Sequence, residues 1–132
     1  MIALDTNVLV RFLVEDDQKQ AAAAAALIDR AIADGDTIFV SDVVVCETVW
    51  VMSVSYDVGR KEIAAVLRSL LRARHVTFRA ADQLIRALEA YEAGKGDFAD
   101  YLIREHARAA DCNRVATFDR VLLKERGFVA VK

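Results

Sequence analysis

Residues 1–12 read MIALDTNVLVRF, in which a short apolar run ends abruptly on an acid. The run from Met1 to Leu4 has the aliphatic side chains of a buried strand. An unpaired carboxylate at the end of such a strand is costly, so Asp5 must either cap a helix that begins near Thr6 or pair with another group. The sequence alone leaves both alternatives open.

The composition is that of a folded protein. The 132 residues are 55% hydrophobic and 29% charged, which excludes a disordered chain and predicts a single domain over 1–132. The formal net charge of −2 is not that of a general nucleic-acid binder, so action on a polyanion would need local charge or a bound cation. The two cysteines form no metal or redox motif, and no stretch has the pattern of a membrane span, so we expect a cytoplasmic protein without membrane contact.

Strand-like runs alternate with helical patterns along the chain. Strands are expected at 2–4, 37–40, 76–78, 114–117 and 128–131. Beyond a first helix after Asp5, helical patterns cover 18–33, 42–56, 60–74, 80–93 and 97–110, and Ser41 is a candidate N-cap. This alternation predicts an α/β fold, a three-layer α/β/α sandwich around a central, mainly parallel sheet.

Acidic residues occur where strands end or where the following helices begin, which is the edge at which parallel sheets bind ligands. Asp5 ends the first strand, and Asp119 follows the fourth in TFDR. Glu47 lies in the apolar run VVVCETVWVM, where we expect little solvation and a paired carboxylate. Asp97 and Asp100 are three residues apart at the start of a helix and can face the same way.

Each acid also has a purely structural interpretation. Asp5 and Asp119 could be helix caps, because aspartate is strongly favoured in that position. Glu47 could be paired with an arginine. Asp97, and less readily Asp100, could complement the positive end of a helix dipole.

Convergence of these acids would have a chemical consequence. Carboxylates that lie together repel one another and raise each other's pKa values, and a divalent cation relieves that repulsion. An all-oxygen ligand set suits Mg²⁺ or Mn²⁺, whereas the absence of histidine and cysteine from the motifs argues against zinc. A cation held in this way can ionise water for attack on a phosphodiester, so the pattern predicts metal-dependent phosphodiester hydrolysis.

Four segments, taken in order, resemble PIN domains, and more narrowly the VapC toxins of type II toxin–antitoxin pairs. They are LDTNVLVR, SDVVVCETVWVM, DFADYLIREHA and TFDR, and the resemblance covers essentially the whole chain. It implies an α/β/α fold and an endoribonuclease that depends on Mg²⁺, with Mn²⁺ as the alternative ion.

The resemblance also implies roles for individual residues. The catalytic acids would be Asp5, Glu47, Asp100 and Asp119, with Asp5 and Asp100 as metal ligands and Asp97, Glu47 and Asp119 as further ligand candidates. Asn7 and Thr117 resemble the polar side chains that hold the acids and the waters of the metal. Where many relatives have small residues, Tyr101 and Arg104 are expected to narrow the cleft or to contact RNA.

Arginines near the acidic motifs are the candidate RNA contacts, because phosphate contacts dominate affinity for nucleic acids. They are Arg11, Arg104, Arg108 and Arg120, and each also fits a solvated helix surface.

The resemblance implies two protein partners. One is a second copy in a homodimer, and the other is a cognate VapB-type antitoxin whose tail wraps the toxin and whose N-terminal part binds DNA, so that DNA is reached only through the antitoxin. The helices carry more apolar residues than are needed to cover one face of the sheet. Such an excess is typical of a protein interface, although packing within the core is the alternative interpretation. These residues are Val8, Leu9, Phe12, Leu13, Trp50 and Met52.

Other functions are compatible with parts of the pattern. A PIN-like module that binds RNA or protein without cleavage and without a toxin role is the alternative, although the presence of all four acids favours catalysis. Haloacid-dehalogenase-type phosphatases are disfavoured, because Asn7 stands where their second acid is required. A receiver domain is disfavoured because the third strand carries no phosphate-accepting aspartate.

Overall fold

Helices and parallel strands alternate throughout the computed structural model, which describes residues 1–132. The strands are β1 Ile2–Ala3, β2 Ile38–Phe39, β3 Val76–Thr77, β4 Val115–Thr117 and β5 Phe128–Ala130. The helices are α1 Thr6–Val14, α2 Gln18–Ala33, α3 Asp42–Val54, α4 Arg60–Arg72, α5 Ala81–Ala93 and α6 Phe98–Ala109, and a 3-10 turn covers Leu122–Lys124. Every strand pair is parallel, which confirms the predicted α/β class.

The chain divides into two compact units, Met1–Ala81 and Asp82–Lys132, here called the N-terminal and C-terminal units. The N-terminal unit contains a three-stranded sheet of order β1-β2-β3, and the C-terminal unit contains the pair β4-β5. All five predicted strands therefore form, each one or two residues shorter than its sequence pattern, and hydrogen bonding joins them in two sheets. None of the helices combines the length and the apolar character needed to cross a membrane.

The core of the N-terminal unit lies where its sheet meets the apolar faces of the helices. Val40 at the end of β2 is fully buried, and so are Ile63 and Ala64 of α4, whose apolar residues follow the predicted helical period. Beside this core lies an apolar cavity of about 420 Å³, lined by residues of α1, α2, α4, β2 and β3 and of the segments next to the strands. Leu4 and Leu9 are among its lining residues.

The core of the C-terminal unit is formed by α5 and α6. The rings of Tyr91 and Phe98 meet edge to face, with centroids 6.1 Å apart. One charged side chain is buried there: Glu105 is 3% exposed, and its Oε2 lies 2.8 Å from Arg108 Nη1 and 3.5 Å from Arg104 Nε. An acid at this depth is tolerable because two guanidinium groups neutralise it.

Side-chain caps explain where several helices begin. Asp5 Oδ1 accepts a hydrogen bond from the Val8 N–H at 3.0 Å and caps α1, and Asp17 Oδ1 caps α2 in the same way through the Gln20 N–H. Ser41 Oγ accepts from the Val44 N–H at 3.2 Å, which confirms the N-cap predicted there. Asp5 is therefore a helix cap, as one of its two predicted interpretations states.

Candidate active site

In the N-terminal unit, Glu47 lies beside the start of α1. Its Oε1 accepts a hydrogen bond from Thr6 Oγ1 at 2.8 Å, and Thr6 directly follows Asp5. Asp5 and Asn7 both line a pocket of about 450 Å³ at this end of α1. The local fold therefore brings two of the predicted acids and one predicted polar helper into one region.

Glu47 itself is exposed, which corrects the expectation of a poorly solvated carboxylate. The reason is its position on α3, where Val43, Glu47, Trp50 and Val54 follow one another at intervals of three or four residues and share the outward face. The three apolar residues of this face are each more than 60% exposed. Apolar neighbours in the sequence therefore do not bury the carboxylate, whose partner is a hydroxyl rather than the arginine that we considered.

Cys46, next to Glu47, is half-buried, and burial raises the pKa of its thiol to about 11, with further upward contributions from Asp42 and Glu47. Only about 0.1% of it is thiolate at pH 8, and that fraction grows as the pH rises toward 11. We therefore expect iodoacetamide to label Cys46 at least about tenfold more slowly than the exposed Cys112 at pH 8. Peptide mass spectrometry across a pH series measures both rates, and equal rates at pH 8 would contradict the expectation.

In the C-terminal unit, Asp97 and Asp100 form a capping box at the start of α6. Asp100 Oδ2 accepts a hydrogen bond from the backbone N–H of Asp97 at 3.1 Å. Asp119 lies just before the 3-10 turn, and its Oδ1 accepts a hydrogen bond from the Val121 N–H at 2.8 Å while its own N–H donates to Thr117 Oγ1 at 3.0 Å. Capping of a helix or a turn therefore accounts for the local position of each of these acids. The hydrogen bond to Thr117 also fixes the backbone at Asp119.

Electrostatics show that the acids of this unit lie near one another. Burial raises the pKa of the half-buried Asp100, a hydrogen bond from the Asp97 backbone lowers it, and the negative charges of Asp97, Asp119 and Glu125 raise it again. Glu125 was missed by the sequence reasoning. It stands between Lys124 and Arg126 outside every motif, so its pattern is that of an ordinary surface charge.

The chemistry of these carboxylates suits a hard divalent cation. Their donors are all oxygens, and Asp100 carries the elevated pKa that a nearby cation would reverse. In neither unit, however, are three or more histidine, cysteine, aspartate or glutamate side chains arranged to hold one ion.

Two of the predicted RNA-contacting arginines have structural partners. Arg11 donates to Gln20 Oε1 at 2.6 Å and to Tyr56 Oη at 2.8 Å. The side chain of Arg104 is 11% exposed, and its guanidinium lies 5.3 Å from the ring centroid of Tyr101 and donates to the Arg126 carbonyl. Arg104 is thus held by packing, whereas Arg11 also lines the pocket that contains Asp5 and Asn7.

The other two arginines are exposed. Arg108 pairs with the buried Glu105 while 42% of its side chain remains exposed, and Arg120 follows Asp119 on the surface. They are the better placed of the four for a phosphate group.

The chain matches a known protein family. The family model described as PIN domain matches residues 2–128, a range that includes most of both units. No curated protein matches the chain.

Proposed function

Because the chain belongs to the PIN-domain family, whose members are generally metal-dependent nucleases, we propose that it is an endoribonuclease and the VapC-type toxin of a type II toxin–antitoxin pair. Membership also confirms the predicted α/β sandwich fold class. The observation that carries the proposal is that the family match runs through all four predicted catalytic acids.

The proposed site keeps the residues that the resemblance implied. Asp5, Glu47, Asp100 and Asp119 are the catalytic acids, and Asp5 and Asp100 are ligands of Mg²⁺ or Mn²⁺, with Asp97, Glu47 and Asp119 as further candidates. When bound, the cation supplies positive charge that favours ionisation of water and stabilises the leaving oxygen.

The chain's own hydrogen bonds support this assignment. Thr6 fixes one oxygen of Glu47, and the exposure of that carboxylate lets it take a proton from a water molecule that attacks the phosphodiester. Thr117 fixes the backbone at Asp119. Arg108 and Arg120, both exposed, are the proposed contacts to the RNA backbone.

Cleavage of a structured RNA by the purified protein tests the proposal. We expect cleavage in Mg²⁺, loss of cleavage when EDTA is added, and recovery with excess Mg²⁺. Sequencing the new RNA ends would then identify the cleaved bond. Cleavage that resists EDTA would contradict the metal assignment.

A PIN-like module that binds RNA or protein without cleavage is the second candidate. One observation favours it, namely that no three acids in either unit are arranged to hold an ion. Binding of RNA without cleavage in Mg²⁺ or Mn²⁺ would establish this function instead of the first.

We also propose a homodimer, for which the outward face of α3 is the candidate interface. Leu9 and Met52, predicted as interface residues, are 1% and 3% exposed and belong to the core, which corrects that part of the prediction. Trp50 is 61% exposed and lies with Val43 and Val54 on the outward face of α3, which also carries Glu47. The apolar residues of this face can pack against their own copy across a two-fold axis.

Trp50→Asp is therefore expected to convert a dimer into a monomer, because it replaces the largest apolar side chain of this face with a second charge beside Glu47. Light scattering coupled to gel filtration at micromolar concentration measures the mass. Ile85→Asp on α5, where Ile85 is 41% exposed, is the matched control and should leave the dimer unchanged. A wild-type monomer, or a dimer that survives in Trp50→Asp, would contradict the proposal.

A VapB-type antitoxin is the proposed second partner, with DNA reached only through it. The apolar cavity of the N-terminal unit, which Leu4, Leu9 and Phe12 line, supports this partner because its chemistry fits an apolar segment of such a tail. Co-expression with the product of the neighbouring reading frame should yield a complex that no longer cleaves RNA, and an active mixture would contradict the pairing.

A further inference from the structure

A buried hydroxyl links the two acid-bearing segments of the C-terminal unit. Tyr101, which follows Asp100 in α6, is fully buried. Its Oη accepts a hydrogen bond from the Gly96 N–H at 2.9 Å and donates one to Glu125 Oε2 at 2.5 Å. Glu125 directly follows the 3-10 turn Leu122–Lys124, and the Leu123 N–H of that turn donates to the Asp119 carbonyl at 3.2 Å, so Tyr101 ties the start of α6 to the segment that carries Asp119.

Two glycines make room for this link. A Cβ atom on Gly94 would clash with Tyr101 Oη and would lie 2.6 Å from Glu125 Oε1. A Cβ atom on Gly96 would lie 2.7 Å from Leu122 Cδ2 and 3.1 Å from Tyr101 Oη. The Gly-Lys-Gly sequence before α6 therefore allows the hydroxyl and the carboxylate to meet.

The link acts against electrostatic repulsion. The negative charges of Asp97, Asp119 and Glu125 all raise the pKa of Asp100, so the two segments carry like charges close enough to interact. The hydrogen bond that the Tyr101 hydroxyl donates to the Glu125 carboxylate is of the strong, charge-assisted kind. It can therefore hold the segments together while leaving the acids free to bind a cation.

We propose, building on the proposed nuclease function, that Tyr101 and Glu125 are positioning residues whose hydrogen bond fixes the Asp100 segment against the Asp119 segment. Neither residue is assigned a contact with the metal or with RNA. Glu125 acts through its acceptor oxygen rather than through its negative charge, and this distinction is what the experiment addresses.

The affinity of the RNA-free protein for Mn²⁺, measured by electron paramagnetic resonance, tests the link. Glu125→Ala and Tyr101→Phe are each expected to weaken binding about tenfold, the low end for losing an outer-shell group, because the segment that carries Asp100 is then less firmly held. Glu125→Gln keeps the acceptor oxygen and should stay within about twofold of wild type. The exposed Glu89→Ala on α5 is the control for loss of an acid and should bind normally.

The double variant Tyr101→Phe with Glu125→Ala separates a shared effect from two independent ones. If the residues act through one hydrogen bond, the double variant binds Mn²⁺ no more weakly than the worse single variant. Multiplied losses would overturn the proposal. So would a Glu125→Gln variant as weak as Glu125→Ala, because the charge would then be the active feature.

Amide hydrogen exchange in the first turn of α6, measured without metal, gives a second readout. Faster exchange is expected in Tyr101→Phe and Glu125→Ala but not in Glu125→Gln. Unchanged exchange and unchanged Mn²⁺ affinity in the first two variants would overturn the proposal. A wild-type protein that binds no Mn²⁺ would instead contradict the proposed function, and exchange alone would then decide whether the link positions α6.

Discussion

Asp5→Asn is expected to keep the fold and to lower the rate of RNA cleavage at least about 100-fold. The fold survives because Asp5 caps α1 through a hydrogen bond from the Val8 N–H at 3.0 Å, and the side-chain oxygen of asparagine caps a helix equally well. Activity is lost because the substitution removes the negative charge assigned to the cation. This one substitution therefore tests the catalytic role of Asp5 separately from its role as a helix cap.

Asp17→Asn is the matched control for this substitution. Asp17 caps α2 through the Gln20 N–H at 3.0 Å, so the chemical change and the local structure are the same while no catalytic role is assigned. Initial cleavage rates in Mg²⁺ and thermal melting of the three proteins measure the outcome. Wild-type cleavage by Asp5→Asn, or an equal loss in Asp17→Asn, would contradict the assignment.

Glu105→Ala is expected to lower the free energy of unfolding by about 3 kcal/mol, the low end for breaking a buried ion pair. The substitution leaves the guanidinium of Arg104, whose side chain is only 11% exposed, without its counter-ion. Arg108 adds less, because 42% of its side chain is exposed and water screens its charge. Most of the lost stability is therefore expected to come from the ion pair between Glu105 and Arg104.

Urea denaturation followed by circular dichroism measures this change. Glu89→Ala removes an exposed acid from α5 and should stay within about 0.5 kcal/mol of wild type. A loss in Glu105→Ala no larger than that of the control would mean that the buried pair contributes nothing net.

Local signals in the sequence were sufficient for the secondary structure. Helix α2 covers 18–33 as predicted, because a run of alanines favours helix and Asp17 caps its start. Ser41 caps α3 and Asp97 begins α6 for the same kind of reason. The strands were predicted slightly too long, because β-favouring residues extend past the last hydrogen-bonded pair.

Side-chain environment was harder to predict, because it depends on which face of an element is covered. Glu47 was expected to be poorly solvated because valines surround it in the sequence, yet it shares the exposed face of α3 with Trp50. Arg104 has the pattern of a surface residue, but it packs on the rings of Tyr101 and Phe128. Both misassignments come from tertiary packing, which a single helix pattern does not specify.

The candidate site was likewise predicted in part from the sequence. The acids and their order along the chain were visible in the sequence, since each belongs to a motif that the family match includes. Glu125 and the role of Tyr101 were not visible, because their hydrogen bond joins residues 24 positions apart. Distances between carboxylates depend on such links rather than on the motifs.

RNA cleavage is proposed to depend on a divalent cation held by the predicted carboxylates. Anomalous diffraction from crystals of the protein soaked in Mn²⁺ is the decisive measurement. We expect manganese bonded to a carboxylate oxygen of Asp5 and to one of Asp100. Well-ordered carboxylates with no ion at either residue, in crystals of a protein that still cleaves RNA, would contradict it.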